Sequence, residues 1–363
     1  MEGIRVLDLS QYLPGPFGTR LLSDMGADVI KVEPPAGDPL RSLNPVTGSA
    51  DGVPFWKTCN AGKSVLRLDL KKDEDKSVLS ELLKSADVLF ESYRPGVLER
   101  LGFGRQKLGE LNPGLVHLAL TGYGQTGPKS SDGGHDLNYI ALTGALSVSG
   151  TNQTPVINWP PADDLSAAQQ AVIAIQGALL RRTRNGQGAY IDLSMSDVYL
   201  SWQDWGLTSA LNGGGISRGA CLLGGGAACY QVYATSDARH IALGALEPKF
   251  WENFCRAVDH PEWITRQGED LPQTDLVSDV ATLIGHQTLN HWDHLLSEAD
   301  CCYQAVLTYE EAATSPQAEA RGLISRFEDR TEVLFPALTD GKAPTPRVPV
   351  REIDVSQALE RWT

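Results

Sequence analysis

Three side chains near the middle of the chain are of the types that proton transfer at a carbon atom requires. His135 lies in a glycine-rich turn. The adjacent carboxylates Asp163 and Asp164 stand just ahead of an apolar segment, 165–182. Imidazole and carboxylate groups are common general acids and bases, although a loop histidine can be structural and an aspartate at a helix start can be an N-cap. We therefore expect one aspartate to cap the helix while the other takes part in chemistry.

Basic side chains in the first part of the chain form a second candidate group. They lie near the ends of predicted strands or in loops: Lys31, Arg41, Lys63, Arg67, Arg94 and Arg100. Open sheets bind ligands at the ends of their strands, and arginine can contact a phosphate through two parallel N–H donors. The group favours a site for a multiply phosphorylated ligand. The alternative is that these are solvated surface charges, as most lysines and arginines are.

A glycine pattern, G-x-G-x-x-G, covers residues 122–127 and follows a predicted strand. A dinucleotide fingerprint needs a helix directly after this pattern, because the N-terminus of that helix holds the pyrophosphate. Here Pro128 and a run of small polar residues follow instead. The pattern therefore favours a glycine-rich active-site loop in which Gly122, Tyr123 and Gly124 lie near the ligand.

A histidine-rich segment raises the question of a metal site. Its candidate ligands are His286, His291, Asp293 and His294. His291 and His294 share one face of a predicted helix, but histidines on an amphipathic helix are more often solvated surface residues. Since no C-x-x-C pair or second strong ligand pair accompanies them, we expect no bound metal.

The elements around the candidate residues alternate between strand and helix. Residues 4–9 predict a strand that ends at a Pro-Gly-Pro turn, residues 19–25 a helix and residues 28–33 a second strand. The pattern recurs, with strands over 65–70, 87–91 and 115–120 and helices over 73–85 and 97–101. Repeated βαβ units predict the α/β class with a doubly wound parallel sheet.

The second half of the chain changes character. After the helix over 165–182 and a strand over 189–193 come a helix over 196–205, a glycine-rich stretch, a hairpin over 230–235 and 240–246, and helices near 249–258, 275–284 and 290–299. We therefore expect a large ligand-binding α/β domain (1–205), a glycine-rich linker (206–229), a smaller α+β domain (230–325) and a C-terminal segment that returns to the large domain (326–363).

Charge and composition limit the partners and the compartment. The formal net charge is -14 and the pI is near 4.9, so the surface repels nucleic acid and anionic membranes. The six cysteines show no C-x-x-C spacing, which suits a reduced cytosolic protein. No run of eighteen apolar residues occurs, and from the terminal residues we expect neither a signal segment nor a peroxisomal address. We expect a cytoplasmic protein that binds neither nucleic acid nor membrane.

Short motifs follow one another over nearly the whole chain. They cover residues 4–9, 26–35, 60–64, 94–100, 122–128, 185–188, 192–195 and 317–323. Together they resemble the family III CoA-transferases, the CaiB/BaiF family, which also contains the α-methylacyl-CoA racemases. The resemblance implies a CoA thioester as substrate and no cofactor apart from the coenzyme A of that substrate. It also implies an interlocked homodimer, with the active site between the large domain of one chain and the small domain of the other.

Two features resemble the racemase branch of that family. His135 stands where transferases commonly place an aromatic residue, and Glu247 lies in a segment like the one that carries the glutamate partner of that histidine. The resemblance implies that these two form one acid/base arm and that an aspartate forms the other. The transferase register selects Asp164, whereas the extra residue typical of racemases selects Asp163. Residues 165–168 lack the aromatic residue and glycines usual in racemases, which leaves transferase chemistry open.

The resemblance also assigns the basic group to coenzyme A. It places Arg94 and Arg100 near the phosphates of CoA. Around the nucleotide end it places Lys31, Arg41, Asn60 and Lys63.

Three activities fit these assignments. The first is racemisation or epimerisation of a 2-methylacyl-CoA through an enolate, with backbone N–H groups at the start of the helix after Asp164 stabilising the enolate oxygen. The second is CoA transfer between carboxylic acids through an aspartyl-CoA thioester on Asp164 or Asp163. The third is binding of acyl-CoA without turnover.

Overall fold

The computed structural model describes residues 1–328 and 330–362 of the chain. The strands are β1 (Arg5–Leu9), β2 (Asp28–Glu33), β3 (Ser64–Arg67), β4 (Val88–Glu91), β5 (Val116–Thr121), β6 (Ala189–Ser194), β7 (Tyr230–Ala234), β8 (His240–Gly244), β9 (Tyr303–Ala305), β10 (Ile324–Arg326), β11 (Thr331–Val333) and β12 (Arg351–Ile353). The helices are α1 (Pro14–Asp24), α2 (Val53–Asn60), α3 (Asp73–Ser85), α4 (Val97–Arg100), α5 (Arg105–Leu111), α6 (Asp136–Leu142), α7 (Ala145–Val148), α8 (Ala162–Asn185), α9 (Met195–Ser201), α10 (Asp204–Leu211), α11 (Pro248–Ala257), α12 (Thr274–Gly285), α13 (Leu289–Leu296), α14 (Tyr309–Ala313), α15 (Pro316–Arg321) and α16 (Val355–Trp362).

A parallel sheet organises the first part of the chain. Seven strands of the described residues pair in the order β12-β3-β2-β1-β4-β5-β6, and each of these pairs is parallel. Helices connect the successive strands, so the predicted α/β class and doubly wound sheet are confirmed. The last strand, β12, pairs with β3, which brings the end of the chain back to this sheet.

The sheet has an apolar core on each face. Successive strand residues point to opposite faces, so Val6 belongs to one core and its neighbour Leu7 to the other. The first core contains residues of α1, α8 and α9, and the second contains residues of α3, α5 and α16. Gly18 lets α1 approach α8 closely, because a Cβ at that position would lie 3.2 Å from the carbonyl oxygen of Ala168.

The strand order reverses its direction at β1 and β4, where open α/β sheets form their ligand crevice. The loops that follow these two strands contact each other at this edge, since the backbone N–H of Gln11 donates to Ser92 Oγ at 3.2 Å. Arg94 follows two residues after Ser92. The topology therefore places Arg94 at the edge where a ligand is expected.

Contacts divide the chain into two compact units. The first comprises Met1–Thr143, Trp159–Trp202 and the chain from Pro316 onward, and the second comprises Gly144–Asn158 and Gln203–Ser315. The second unit contains the antiparallel sheet β7-β8-β9, and the predicted hairpin is formed by β7 and β8. Its core packs Trp251 and Phe254 of α11 against residues of α12 and α13.

This division differs from the predicted boundaries in two respects. Residues 144–158 belong to the second unit, because Arg218 donates to the backbone oxygens of Thr151 and Ser147 at 2.6 and 3.0 Å. The second unit also begins at 203 and ends at 315, whereas the predicted small domain runs from 230 to 325. Part of the predicted linker is helical, since α10 continues to Leu211.

Two predicted helices have different bounds in the structure. The helix expected over 196–205 is split into α9 and α10 by a tight turn in which the N–H of Trp202 bonds the carbonyl of Tyr199. The helix expected over 165–182 is α8, which begins at Ala162, so Asp163 and Asp164 lie inside its first turn. No helix in the described part of the chain combines the length and apolar character needed to cross a membrane.

Candidate active site

A single carboxylate connects the beginnings of two helices in the first unit. Asp136 is the first residue of α6, and its Oδ1 accepts hydrogen bonds from the backbone N–H groups of Asp163 at 2.7 Å and Asp164 at 3.1 Å. The first N–H groups of a helix have no partner inside the helix, and a carboxylate satisfies them while favouring the helix dipole. Because Asp136 directly follows His135, these bonds hold the start of α8 close to His135.

The two adjacent aspartates differ in exposure. Asp163 is completely buried, and neither of its carboxylate oxygens has a hydrogen-bond partner among the described residues. Burial, together with the charges of Asp136 and Asp164, raises the pKa of Asp163 from 3.8 to about 8. Asp164 is partly exposed, and burial with the charge of Asp136 raises its pKa to about 7. Asp164 is therefore the aspartate that a substrate can reach in this structure.

His135 is exposed and immediately precedes α6. Its backbone N–H donates to Asn138 Oδ1 at 3.0 Å, and the carbonyl of the preceding Gly134 accepts a hydrogen bond from the Tyr139 hydroxyl. These two bonds hold the turn at both sides of His135, whose side chain is exposed. His135 can therefore present its side chain to a ligand.

Glycines allow this turn to pack against the glycine-rich loop at 122–127. A Cβ on Gly122 would lie 2.4 Å from the Tyr139 ring, and one on Gly134 would lie 2.6 Å from it. The rings of Tyr123 and Tyr139 meet edge to face with their centres 5.0 Å apart. The loop therefore contacts the turn that carries His135. Between the loop and α6 the chain forms turns and no helix. The helix N-terminus that a dinucleotide fingerprint needs does not follow this loop.

Three residues predicted to bind the nucleotide end of CoA are buried in the first unit. Lys31 pairs with Asp38 at 3.1 Å and donates to the carbonyl of Ser10. Lys63 pairs with Asp8 at 3.1 Å and donates to Asn60 Oδ1 at 2.9 Å.

The third of these residues, Asn60, uses its Nδ2 to donate to the carbonyl of Trp56. The side chains of Lys31, Asn60 and Lys63 are 0 to 2 % exposed. Since their polar atoms are occupied by protein groups, these side chains do not face a ligand here. Sequence position alone predicted the opposite, because a lysine that compensates a buried carboxylate cannot be told from a surface lysine by its neighbours in the chain.

The remaining predicted phosphate contacts are more accessible. Arg41 is paired with Glu33 and Glu352 and lies over the Trp56 ring, so most of its bonding capacity is used. Arg94 and Arg100 are both exposed and lie at the two ends of the segment that leads into and forms α4. Their role in phosphate binding stays a prediction.

Glu247 belongs to the second unit, where it is exposed and immediately precedes α11. Its pairing with His135 stays a prediction. In the same unit His291 contacts the Trp292 ring, and Asp293 accepts from the Tyr303 hydroxyl. Within residues 1–328 and 330–362, no three or more His, Cys, Asp or Glu side chains are grouped to hold a metal ion.

Sequence reasoning did not identify the roles of Asp136 and Tyr139. Asp136 directly follows His135 and holds the start of α8, and Tyr139 holds the turn that carries His135. The cue available in the sequence was an aspartate at the beginning of a short predicted helix, which ordinarily indicates only capping of its own helix. Capping of a different helix depends on the tertiary fold.

The chain is similar to known proteins over nearly its whole length. The family model of CoA-transferase family III matches residues 1–349. The chain is 33% identical to the alpha-methylacyl-CoA racemase of Mus musculus, over 98% of this chain and 90% of the relative. It is 30% identical to the acetyl-CoA:oxalate CoA-transferase of Acetobacter aceti, over 89% and 85%. Among solved structures, a CAIB/BAIF family protein from Brucella suis superposes with a TM-score of 0.84 at 25% identity, over 99% of this chain and 98% of that one.

Proposed function

The chain belongs to CoA-transferase family III, and from this premise we propose that it racemises or epimerises the α-carbon of a 2-methylacyl-CoA thioester. The enzymes of this family to which it is similar are racemases and CoA-transferases of acyl-CoA thioesters. The acid/base residues would be His135 on one side of the substrate and Asp164 on the other. Glu247 would be the partner of His135.

The protonation behaviour of Asp164 carries this proposal. Its pKa is raised to about 7, so at neutral pH the side chain can both accept and donate a proton. A two-base reaction requires this, because each base must deprotonate one enantiomer and protonate the enolate of the other. A nucleophilic carboxylate, in contrast, works best when it is fully ionised.

The proposed reaction moves one proton on each face of the α-carbon. The Asp164 carboxylate takes the α-proton and becomes neutral, and the electron pair of the C–H bond passes into the enolate of the thioester. The His135 imidazolium then donates its proton to the opposite face and becomes neutral. The product is the other enantiomer, and the reverse reaction uses the two residues in exchanged roles.

The start of α8 supports the enolate differently from the sequence-based expectation. The N–H groups of Asp163 and Asp164 donate to Asp136, and the N–H of Leu165 donates to the carbonyl of Pro161. These three donors are therefore engaged and do not point at a substrate oxygen. The remaining contribution of α8 is the field of its dipole, which the charge of Asp136 partly offsets.

Isotope exchange tests the proposal. A single enantiomer of a 2-methylacyl-CoA, incubated with the enzyme in D₂O without any acceptor acid, is expected to gain α-deuterium and to lose optical purity. Mass spectrometry measures the first change and chiral analysis of the acid measures the second. If none of several 2-methylacyl-CoA substrates gains deuterium while the enzyme still binds CoA, the racemase assignment fails.

CoA transfer is the second candidate, and a specific observation favours it. The residues after Asp164 are not glycines, and Ala167 and Ala168 are buried in the core that α8 shares with α1. The start of α8 therefore lacks the glycines that would give an acyl chain room to move beside the base. In this reaction the Asp164 carboxylate would attack the thioester carbonyl and expel the CoA thiolate, which leaves a mixed anhydride. The thiolate would then attack the aspartyl carbonyl of the anhydride, release the donor acid as its carboxylate and form an aspartyl-CoA thioester. An acceptor carboxylate would take CoA from this thioester by the same two steps in reverse and free Asp164.

Trapping distinguishes this second reaction from the first. Hydroxylamine added after acyl-CoA should convert Asp164 to a hydroxamate that peptide mass spectrometry locates, and the Asp163→Asn variant should be trapped equally well. His135→Ala should reduce racemisation strongly and CoA transfer only weakly. An enzyme that binds acyl-CoA but gives neither exchange nor trapping would instead support binding without turnover.

Assembly is part of the same proposal. We infer a homodimer from the family resemblance, and light scattering of the purified enzyme measures its mass directly. A single chain of 39.2 kDa in solution would contradict it.

A further inference from the structure

A histidine of the central sheet has no role in the chemistry described above. His117 on β5 is 7% exposed, and neither ring nitrogen has a hydrogen-bond partner among the described residues. Its Nε2 lies 3.6 Å from Glu91 Oε1, within ion-pair range but beyond a hydrogen bond. Glu91, the last residue of β4, is 4% exposed. An imidazole and a carboxylate thus face each other inside the first unit.

Strand register explains why these two side chains meet. Glu91 is opposite Ala119 on β5, two residues beyond His117, so both side chains point to the same face of the sheet. On the other side His117 is paired with Tyr190 of β6, and the two rings meet edge to face with centres 5.0 Å apart. The guanidinium of Arg105 covers the Tyr190 ring at 4.7 Å. Neighbours on β4, β6 and α5 therefore hold the imidazole in place.

Glu91 also controls the backbone that follows it. Its Oε2 accepts a hydrogen bond from the N–H of Tyr93 at 2.7 Å. The next residue, Arg94, is exposed, and a Cβ on Gly133 would lie 3.1 Å from its Nη2. Arg94 therefore lies beside the turn that carries His135. Glu91, His117 and Arg94 all line one cavity of about 120 Å³.

We propose that His117 and Glu91 are positioning residues that hold Arg94 in place for the phosphates of the CoA thioester. The attraction between the imidazole and Oε1 keeps one carboxylate oxygen on the His117 side and leaves the other for the Tyr93 N–H. That bond fixes the backbone from which Arg94 extends, and a fixed guanidinium loses less freedom when it binds phosphate. The proposal rests on the proposed function, because it assigns Arg94 to CoA.

Binding of CoA to the full-length protein, measured by calorimetry, tests the proposal. His117→Phe keeps the ring and its contact with Tyr190 but removes both nitrogens, and it should weaken CoA binding about tenfold, raising KM with little change in kcat. His117→Gln returns a donor next to Glu91 and should recover most of the affinity. Lys107→Ala, which removes a nearby exposed charge on α5, is the control and should bind as the wild type does.

A double-mutant cycle shows whether the effect passes through Arg94. In an Arg94→Ala background, His117→Phe should cause no further loss of affinity, whereas a general structural effect would add its full factor. The inference would be overturned, and the proposed function left intact, if His117→Phe bound CoA as tightly as the wild type. A full additional loss of CoA affinity in the Arg94→Ala background would have the same meaning. If the wild type binds no CoA, the proposed function fails as well. Should His117→Phe not fold, Glu91→Gln enters the same cycle with the same expected result.

Discussion

Two buried carboxylates of the first unit have opposite environments. Asp8 on β1 accepts hydrogen bonds from the Ser10 N–H and hydroxyl and from the Thr19 hydroxyl, and it pairs with Lys63 at 3.1 Å. Asp163 on α8 is equally inaccessible and has no hydrogen-bond partner for its carboxylate among the described residues. One carboxylate is compensated on every side and the other is not.

The pKa values follow from this difference. Burial alone would raise the pKa of Asp8, but Lys31, Lys63 and the hydroxyl donors lower it to about 2. At Asp163 burial acts with the charges of Asp136 and Asp164 in the same direction and raises the pKa to about 8. A compensated buried carboxylate stays ionised and is a structural element of the sheet, whereas an uncompensated buried carboxyl retains its proton at neutral pH.

The largest expected effect concerns the choice between the adjacent aspartates. Asp164→Asn should lower α-deuterium exchange about 10⁴-fold, because the partly exposed acid is the one that reaches the substrate. Asp163→Asn should remain within about tenfold of the wild type, since the buried side chain only shapes the surroundings. Single-turnover exchange in D₂O measures both. The opposite ranking of the two variants would mean that α8 turns Asp163 outward when substrate binds.

Substitutions at Asp8 and Lys63 should change the stability of the fold instead of the catalytic rate. Lys63→Met removes the cation that is paired directly with the buried Asp8 and should lower the free energy of unfolding by about 3–5 kcal/mol. Urea denaturation measures this loss. Adding Asp8→Asn to Lys63→Met should restore part of it, because the unpaired charge is then removed. Equal stability of the single and double variants would show that lost hydrogen bonds, and not the charge, dominate.

Substitution of Asp163, in contrast, should stabilise the protein. Because its pKa is raised from 3.8 to about 8, the folded state retains the Asp163 proton in this range, and the free energy of unfolding falls as pH rises through it. Asp163→Asn removes this dependence, so its stability relative to the wild type should improve by about 2–4 kcal/mol between about pH 4 and about pH 9. If the free energies of unfolding of the wild type and Asp163→Asn changed with pH in parallel, the raised pKa of Asp163 would be contradicted.

The smallest expected effect isolates the charge of Asp136. Asp136→Asn keeps an oxygen that can accept from the N–H groups of Asp163 and Asp164 but removes the charge that raises the pKa of Asp164. In the pH profile of the exchange rate, the acidic limb should move about one pH unit lower, because Asp164 then ionises at lower pH.

Asp136→Ala, which also removes the cap, provides the comparison. It should cost about 1 kcal/mol of stability in addition to the shift of the acidic limb. An unchanged limb in both variants would mean that burial alone sets the pKa of Asp164.

Much of the fold was predictable from local patterns. Alternation of strand and helix over residues 4–33 indicated a parallel sheet, and the hairpin around Ser236 was readable from its two apolar runs and the turn between them. The short motifs along the chain, including residues 122–128, identified the family. Each of these signals is local, since it depends on residues within a few turns of one another.

Other properties depended on partners that are distant in the chain. Lys63 and Asn60 resembled ligand contacts in the sequence, but the sheet places Lys63 beside Asp8, and Asp136 caps a helix that begins after an intervening segment. The division into compact units differs from the predicted boundaries at 144–158, where Arg218 holds that segment from far along the chain.

By itself, the sequence determined the α/β class and the family, because these follow from periodicity and motif. Only the tertiary structure shows that Asp163 is buried while Asp164 is partly exposed. Adjacent positions of a helix point about 100° apart, so when α8 packs on the sheet one aspartate must enter the interior while the other faces outward. The choice depends on how α8 is rotated against α1 and the sheet, which no local pattern specifies.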